Sequence, residues 1–235
     1  MADHGTSLTL GEIIFNRSER GAELALFCGL SGAGSHHGAP FRTLGPAYLR
    51  TSRGRFEADD FMLTHHASAD SHLVFHWRLE QADLAYESSW QRDSATGIVQ
   101  RNDTLVNTGV APVIVSACLA RFGYAPAVYE AYCQSGRWVH ENQGAWVPLH
   151  TGALVLGATG GRTTQGSTPF VCIREKDGAA GIAFHVLPRG NWTIRLSLHP
   201  LMNSGTGGLS VEIGPASDGL ALTLAPGARW PLPTI

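Results

Sequence analysis

Apolar and polar residues alternate with a period of two along much of this chain. Leu73, Phe75, Trp77 and Leu79 share one side of an extended segment, with His72, Val74, His76 and Arg78 on the other, as in a half-buried strand. The pattern returns in Trp192, Ile194, Leu196 and Leu198 against Thr193, Arg195, Ser197 and His199, then in Leu209, Val211 and Ile213, and in Leu220, Leu222 and Leu224. Further strands are expected over residues 23–28, 60–65, 82–90, 98–107, 113–122, 153–157, 170–174 and 181–186, and no segment sustains a helical period. Asn203-Ser204-Gly205 and Ala216-Ser217-Asp218-Gly219 supply turn chemistry between the late strands, and 28 glycines and 12 prolines punctuate the rest. The fold class that follows is all-β: a large antiparallel β-sandwich, a supersandwich of about a dozen or more strands, rather than a small barrel.

With 235 residues, no repeat and no linker-like composition, the chain is expected to form a single β-sandwich domain over 1–235. Residues 29–40, rich in Gly, Ser and His, read as a long loop. Residues 225–235 read as a strand leaving the sandwich, which would stop there as a truncated domain might.

Composition narrows the function classes. Only 15% of residues are charged and the net charge is -2, so there is no basic field to attract nucleic acid or an anionic membrane. Lys176 is the one lysine among many arginines, a compositional bias rather than a binding surface. Cys28, Cys118, Cys133 and Cys172 match no metal or redox spacing, and most sit in apolar runs as buried thiols would. The N-terminus lacks the basic and apolar regions of a secretory signal, and no apolar run is long enough for a spanning helix; a soluble, cytoplasmic protein is expected.

Candidate chemistry is sparse. The histidine pairs His36-His37 and His65-His66 do not converge as metal ligands must, and His72 with His76 decorate one outward face, so neither a metal nor a cofactor is expected. No nucleophile elbow surrounds a serine, and Gly157-Ala158-Thr159-Gly160-Gly161 lacks the ending of a phosphate loop. The acid pairs Asp83 with Glu87 and Glu175 with Asp177 belong to no motif, so no catalytic residue is assigned. The adjacent acids Asp59 and Asp60 follow a turn and suit sugar hydroxyls, against the alternative of a solvated strand start. Among the tryptophans, Trp77 and Trp192 alternate with apolar neighbours and read as core. Trp138 and Trp146 flank the polar stretch Asn142-Gln143-Gly144, taken as a turn, and are the candidates for an exposed sugar platform or an inter-domain contact.

Three separated motifs carry a family resemblance. Arg101-Asn102-Asp103-Thr104-Leu105-Val106-Asn107-Thr108-Gly109 with Pro112-Val113 comes first. Gly136-Arg137-Trp138-Val139-His140-Glu141 follows, and then Gly160-Gly161-Arg162-Thr163-Thr164-Gln165-Gly166-Ser167-Thr168-Pro169-Phe170. Their order and spacing resemble the N-terminal domain of glycoside hydrolase family 36, the α-galactosidase-like enzymes, across residues 85–230. The earlier part matches only in strand-like character and a Gly54-Arg55-Phe56 turn. Gln165 stands where that family usually has histidine and Thr168 where it has asparagine, which marks a diverged relative.

The resemblance implies a parent enzyme that hydrolyses terminal α-galactosides with retention, using two aspartates held about 5 Å apart on a (β/α)8 barrel. Nothing after Ile235 is present to form that barrel. It also implies that the sandwich packs on the barrel, here through its end at roughly 225–235, and that it supports a homo-oligomer in which loop residues reach a neighbour's sugar site. Asp59, Asp60, Trp138, Trp146, Arg162 and Gln165 are the residues expected to meet an α-galactoside or other sugar. The chain is then a non-catalytic accessory domain; the alternative is a stand-alone carbohydrate-binding module.

Overall fold

The computed structural model describes residues 7–17, 21–27, 29–32, 45–137, 140–161, 164, 166–200 and 207–235. Its 20 strands form four antiparallel sheets, so the expected all-β sandwich is what the chain adopts. β1 (Ser7–Leu10), β2 (Ile13–Arg17), β3 (Ala22–Phe27) and β4 (Leu30–Ser31) make a four-stranded meander. β5 (Ala47–Thr51) and β6 (Gly54–Phe56) pair as a hairpin, so Gly54-Arg55-Phe56 is strand rather than turn. β7 (Met62–Ala69), β8 (His72–Leu79), β9 (Leu84–Arg92) and β10 (Val99–Asn107) follow as a second meander.

The long β11 (Val113–Ala127) then joins β5. β12 (Tyr129–Arg137) and β13 (His140–Pro148) form a hairpin, β14 (Gly152–Ala158) follows, and β15 (Gly166–Glu175) pairs with both β12 and β16 (Gly181–His185). β17 (Trp192–Pro200), β18 (Gly207–Pro215), β19 (Leu222–Leu224) and β20 (Arg229–Pro231) complete the chain. The sheets are thus β1-β2-β3-β4, β20-β10-β9-β8-β7, β14-β17-β18-β11-β5-β6 with β19 beside β11, and β13-β12-β15-β16.

Alternation explains which side of each strand is buried. Leu73, Phe75, Trp77 and Leu79 turn inward as read, and Trp192, Ile194 and Leu196 do the same, so Trp77 and Trp192 are core. Six aromatic rings join all four sheets. Phe15 packs on Phe75 and Trp90, Phe27 on Trp90 and Phe184, and Phe122 on Trp90 and Phe184, with centroids 4.8–6.5 Å apart.

Three further expectations change. Asp59 and Asp60, for which a solvated strand start was the alternative, lie in a 3-10 turn (Ala58–Asp60) before β7, because Asp60 folds back to accept the Glu57 N–H at 2.9 Å. Asn142-Gln143-Gly144 is not a turn: the stretch lies within β13, with Gln143 opposite Ser135 and Gly144 opposite Gln134. Residues 225–235 do not leave the sandwich. β20 edges β10, and beyond it Ile235 exchanges backbone hydrogen bonds of 2.7 and 3.0 Å with Arg101. Of the expected 29–40 loop, Leu30 and Ser31 are strand, while residues 33–40, like Cys28 and Asn203-Ser204-Gly205, lie outside the described residues.

Candidate functional site

The first motif builds a lock between sheets. Arg101 is 3% exposed on β10, and each of its three guanidinium nitrogens is committed. Nε donates to Asp103 at 3.1 Å, Nη1 to the Arg121 carbonyl at 2.9 Å and Nη2 to the Pro46 carbonyl at 2.7 Å. The cation lies over the rings of Trp90 and Phe122, 5.0 and 4.7 Å from their centroids. Tyr86 donates to Asp103 at 2.6 Å, and burial together with that carboxylate pushes the phenol well above its ordinary range. Burial does the same to the neighbouring Cys118 thiol. A carboxylate so engaged ties the sheets together.

A second ionic chain crosses the outer side of the large sheet. Glu212 on β18 pairs with Arg195 on β17 and with Arg121 on β11 at 2.5 Å, and Arg121 continues to Glu57 at 2.9 Å. Glu57 also pairs with Arg55 at 2.6 Å. Arg55, Arg121 and Arg195 surround the Tyr48 ring, 5.2–5.8 Å from its centroid. Burial alone would raise the Glu57 pKa, but the two arginines outweigh it and hold the carboxyl below its usual value. This chain anchors the 3-10 turn that carries Asp59 and Asp60.

The two acids do different things there. Asp60 caps the turn through the Glu57 N–H. Asp59 is exposed on the rim of a cavity of about 330 Å³ whose floor includes Phe56, Phe61 and Trp77 and whose rim adds Arg78 and Glu80. They share a turn rather than opposite faces of a strand, and only Asp59 presents a free carboxylate.

The remaining candidates gather by register on the β13-β12-β15-β16 sheet. Gly136 pairs with Gly166, so the strands that flank the second and third motifs are neighbours. Trp138, Arg162 and Gln165 themselves lie outside the described residues, as do His36 and His37. Trp146 is 42% exposed on β13. Opposite it is Tyr132, 5.6 Å away between ring centroids, and Arg174 of β15 reaches over the indole at 3.9 Å while pairing with Glu130 at 2.9 Å. Glu130, Tyr132 and Arg174 were not singled out from sequence. The signal was present, since Glu130, Tyr132 and Gln134 alternate with the buried Tyr129 and Ala131.

Several of the described histidines pair with protein groups. The His65 and His76 rings lie 5.6 Å apart across β7 and β8, His76 approaches Glu87 at 3.9 Å, and His72 bonds Ser89 at 2.8 Å. No cluster of three or more metal-ligating side chains occurs among the described residues. Among them, too, no helix is long and apolar enough to cross a membrane.

An apolar groove of about 340 Å³ opens beside the Arg101 lock. Phe27, Trp90, Phe122 and Phe184 line it, and its lip holds Ile98, 63% exposed, and Leu187, 54% exposed, next to Thr234 and Ile235.

Comparison with solved structures places this architecture. The α-galactosidase AgaA from Geobacillus stearothermophilus superposes with a TM-score of 0.76 at 14% identity, covering 97% of this chain and 39% of that one. A variant of AgaA with stachyose bound gives 0.77 at 15% identity, covering 98% and 40%. The α-galactosidase from Lactobacillus brevis gives 0.75 at 13%, covering 97% and 38%. The chain thus spans about two fifths of the length of these enzymes. No curated protein sequence matches it. A family model described as the glycosyl hydrolase family 36 N-terminal domain matches residues 36–203, most of the chain, and the chain belongs to that family.

Proposed function

We propose that this chain is a non-catalytic accessory domain of an α-galactosidase-like glycoside hydrolase, whose work is to dock a catalytic (β/α)8 barrel and to support a homo-oligomer. The observation that carries this reading is the apolar groove at Ile98, Leu187, Thr234 and Ile235. Two large aliphatic side chains more than half exposed over an aromatic floor are poorly matched to water and well matched to a packed partner surface. Family membership supports a barrel as the occupant, because the related enzymes have a further three fifths of their length outside the part matched here.

The 235 residues act as one domain, with 225–235 at its docking end. Asp59, free at the rim of its own cavity, is the acid offered to a sugar in a neighbouring subunit, with Asp60 holding the turn. Trp138, Arg162 and Gln165 belong to the same proposed sugar-facing set. Cys118, Cys133 and Cys172 are free thiols, which suits a cytoplasmic setting.

Reconstitution tests the reading. The chain is mixed with the separately expressed barrel of a family 36 α-galactosidase while association and hydrolysis of an aryl α-galactoside are followed. The chain alone is expected to be silent and the mixture to form a complex with raised activity. Ile98→Asp with Leu187→Asp should weaken association tenfold or more, about 1.4 kcal/mol. Hydrolysis by the chain alone would overturn the proposal. So would failure to associate under conditions in which the barrel's own N-terminal domain binds it.

A further inference from the structure

We infer that the outer face of the β13-β12-β15-β16 sheet is a binding site for α-galactosides, with Trp146 as its stacking platform and Glu130, Arg174 and Tyr132 as its hydrogen-bonding rim. The choice of galactoside rests on the family reading above; the site itself rests on geometry.

Register places these side chains together. Trp146, Tyr132 and Cys172 stand opposite one another across β13, β12 and β15, and Pro148, Glu130 and Arg174 form the adjacent row. Ala131, Val171 and Ile173, at the alternating positions, are buried, so this row faces away from the core. Trp146 is nonetheless packed: Tyr132 tilts against it and Arg174 lies over one face, 3.9 Å from the ring centroid, leaving the rest of the indole for a ligand. An indole packed on two neighbours but still 42% exposed loses less rotamer entropy than a free one when a ligand settles on it.

The polar groups are the stronger argument. Arg174 donates from both Nε and Nη2 to the same Glu130 oxygen, Oε2, at 3.1 and 2.9 Å. Glu130 Oε1 and Arg174 Nη1 are therefore uncommitted, as are the Tyr132 hydroxyl and the Trp146 indole N–H. An acceptor and a donor on the two sides of the ion pair can each meet a pyranose hydroxyl, and the indole matches its C–H face. Galactose, with its axial O4, presents one continuous C–H face to such a ring. A protein interface would call for a wider apolar area, which this chain has at Ile98 and Leu187 instead.

The experiment is titration of the intact chain with raffinose, followed by the Trp146 indole resonance in NMR spectra and by calorimetry, with maltotriose as the comparison sugar. Expected is a saturable shift of the Trp146 signal in the millimolar range with raffinose and a much weaker one with maltotriose. Trp146→Ala should abolish the heat, and Arg174→Met and Glu130→Gln should weaken binding about tenfold with an unchanged circular dichroism spectrum. A Trp146 signal unmoved by tens of millimolar raffinose would overturn the site. So would full binding by Trp146→Ala, or a signal that moves only with protein concentration, the mark of a protein interface. An equal response to maltotriose would overturn the galactoside assignment, while the accessory-domain reading stands or falls on reconstitution.

Discussion

Arg101 and Arg174 each lie over a tryptophan ring and each grip a carboxylate, one between sheets and the other on an outer face. Around Arg101 every guanidinium nitrogen has a partner, both Asp103 oxygens are engaged, and Trp90 is enclosed by Phe15, Phe27 and Phe122. Around Arg174 one carboxylate oxygen takes two bonds while its twin, a guanidinium nitrogen and the Tyr132 hydroxyl are left over. The same residue types give a structural lock in one place and an open site in the other. What separates them is the presence of uncommitted polar atoms beside exposed aromatic surface.

The most forceful way to break this comparison is to remove each arginine. Arg101→Met strands the buried Asp103 carboxylate and should cost about 3–5 kcal/mol of stability in urea unfolding. Arg174→Met removes a half-exposed pair and should cost less than about 1 kcal/mol. Similar losses would mean that both clusters are structural. Trp90→Ala and Trp146→Ala extend the contrast, with about 3–5 kcal/mol expected for the first and under about 1 kcal/mol for the second.

Alkaline titration sharpens it further. Buried Tyr86 and Cys118 both hold their protons more tightly in the fold than in the unfolded chain, first through burial and then through Asp103. The unfolded chain releases those protons from about pH 8.5 for the thiol and about pH 10 for the phenol. Above these values it binds fewer protons than the fold, so stability is fully present below pH 8 and declines as pH rises. Tyr86→Phe should lessen the decline above about pH 10 in thermal melts, and Cys118→Ala should lessen the part that begins at about pH 8.5. The buried Tyr129 also contributes to the former, and the partly buried Cys133 and Cys172 to the latter. Variants of the Trp146 cluster should leave this profile unchanged.

The smallest expected effect is at Gly144, where an added Cβ would strike the Tyr132 hydroxyl. The end of a flexible side chain can swing aside, so Gly144→Ala should cost less than about 1 kcal/mol while weakening raffinose binding. Loss of stability without loss of binding would detach Tyr132 from the site.

Much of the fold was legible because burial on one side leaves its mark at every second residue. The alternation at Leu73–Leu79 and Trp192–Leu198 identified strands, their inward faces and two core tryptophans. Turn-like chemistry misled at Asn142-Gln143-Gly144, where pairing with β12 outweighs local preference, even though Asn142 keeps a left-handed φ of 56°. The opposite happened at Asp59 and Asp60, where Asp60 bonding back to Glu57 produced a turn from an apparent strand start.

Sequence by itself determined the all-β class, the strand faces and, through three ordered motifs, the family. Tertiary structure alone decided what those motifs do. It buried Arg101 among partners from β9, β10, β11 and the residue just before β5, set Asp59 apart from Asp60, and brought Glu130, Tyr132 and Arg174 from two strands to Trp146 on a third. The physical reason is that alternation is a local record of which side faces water. Whether a polar atom finds a partner depends on strands far apart in sequence that meet only when the sheets assemble.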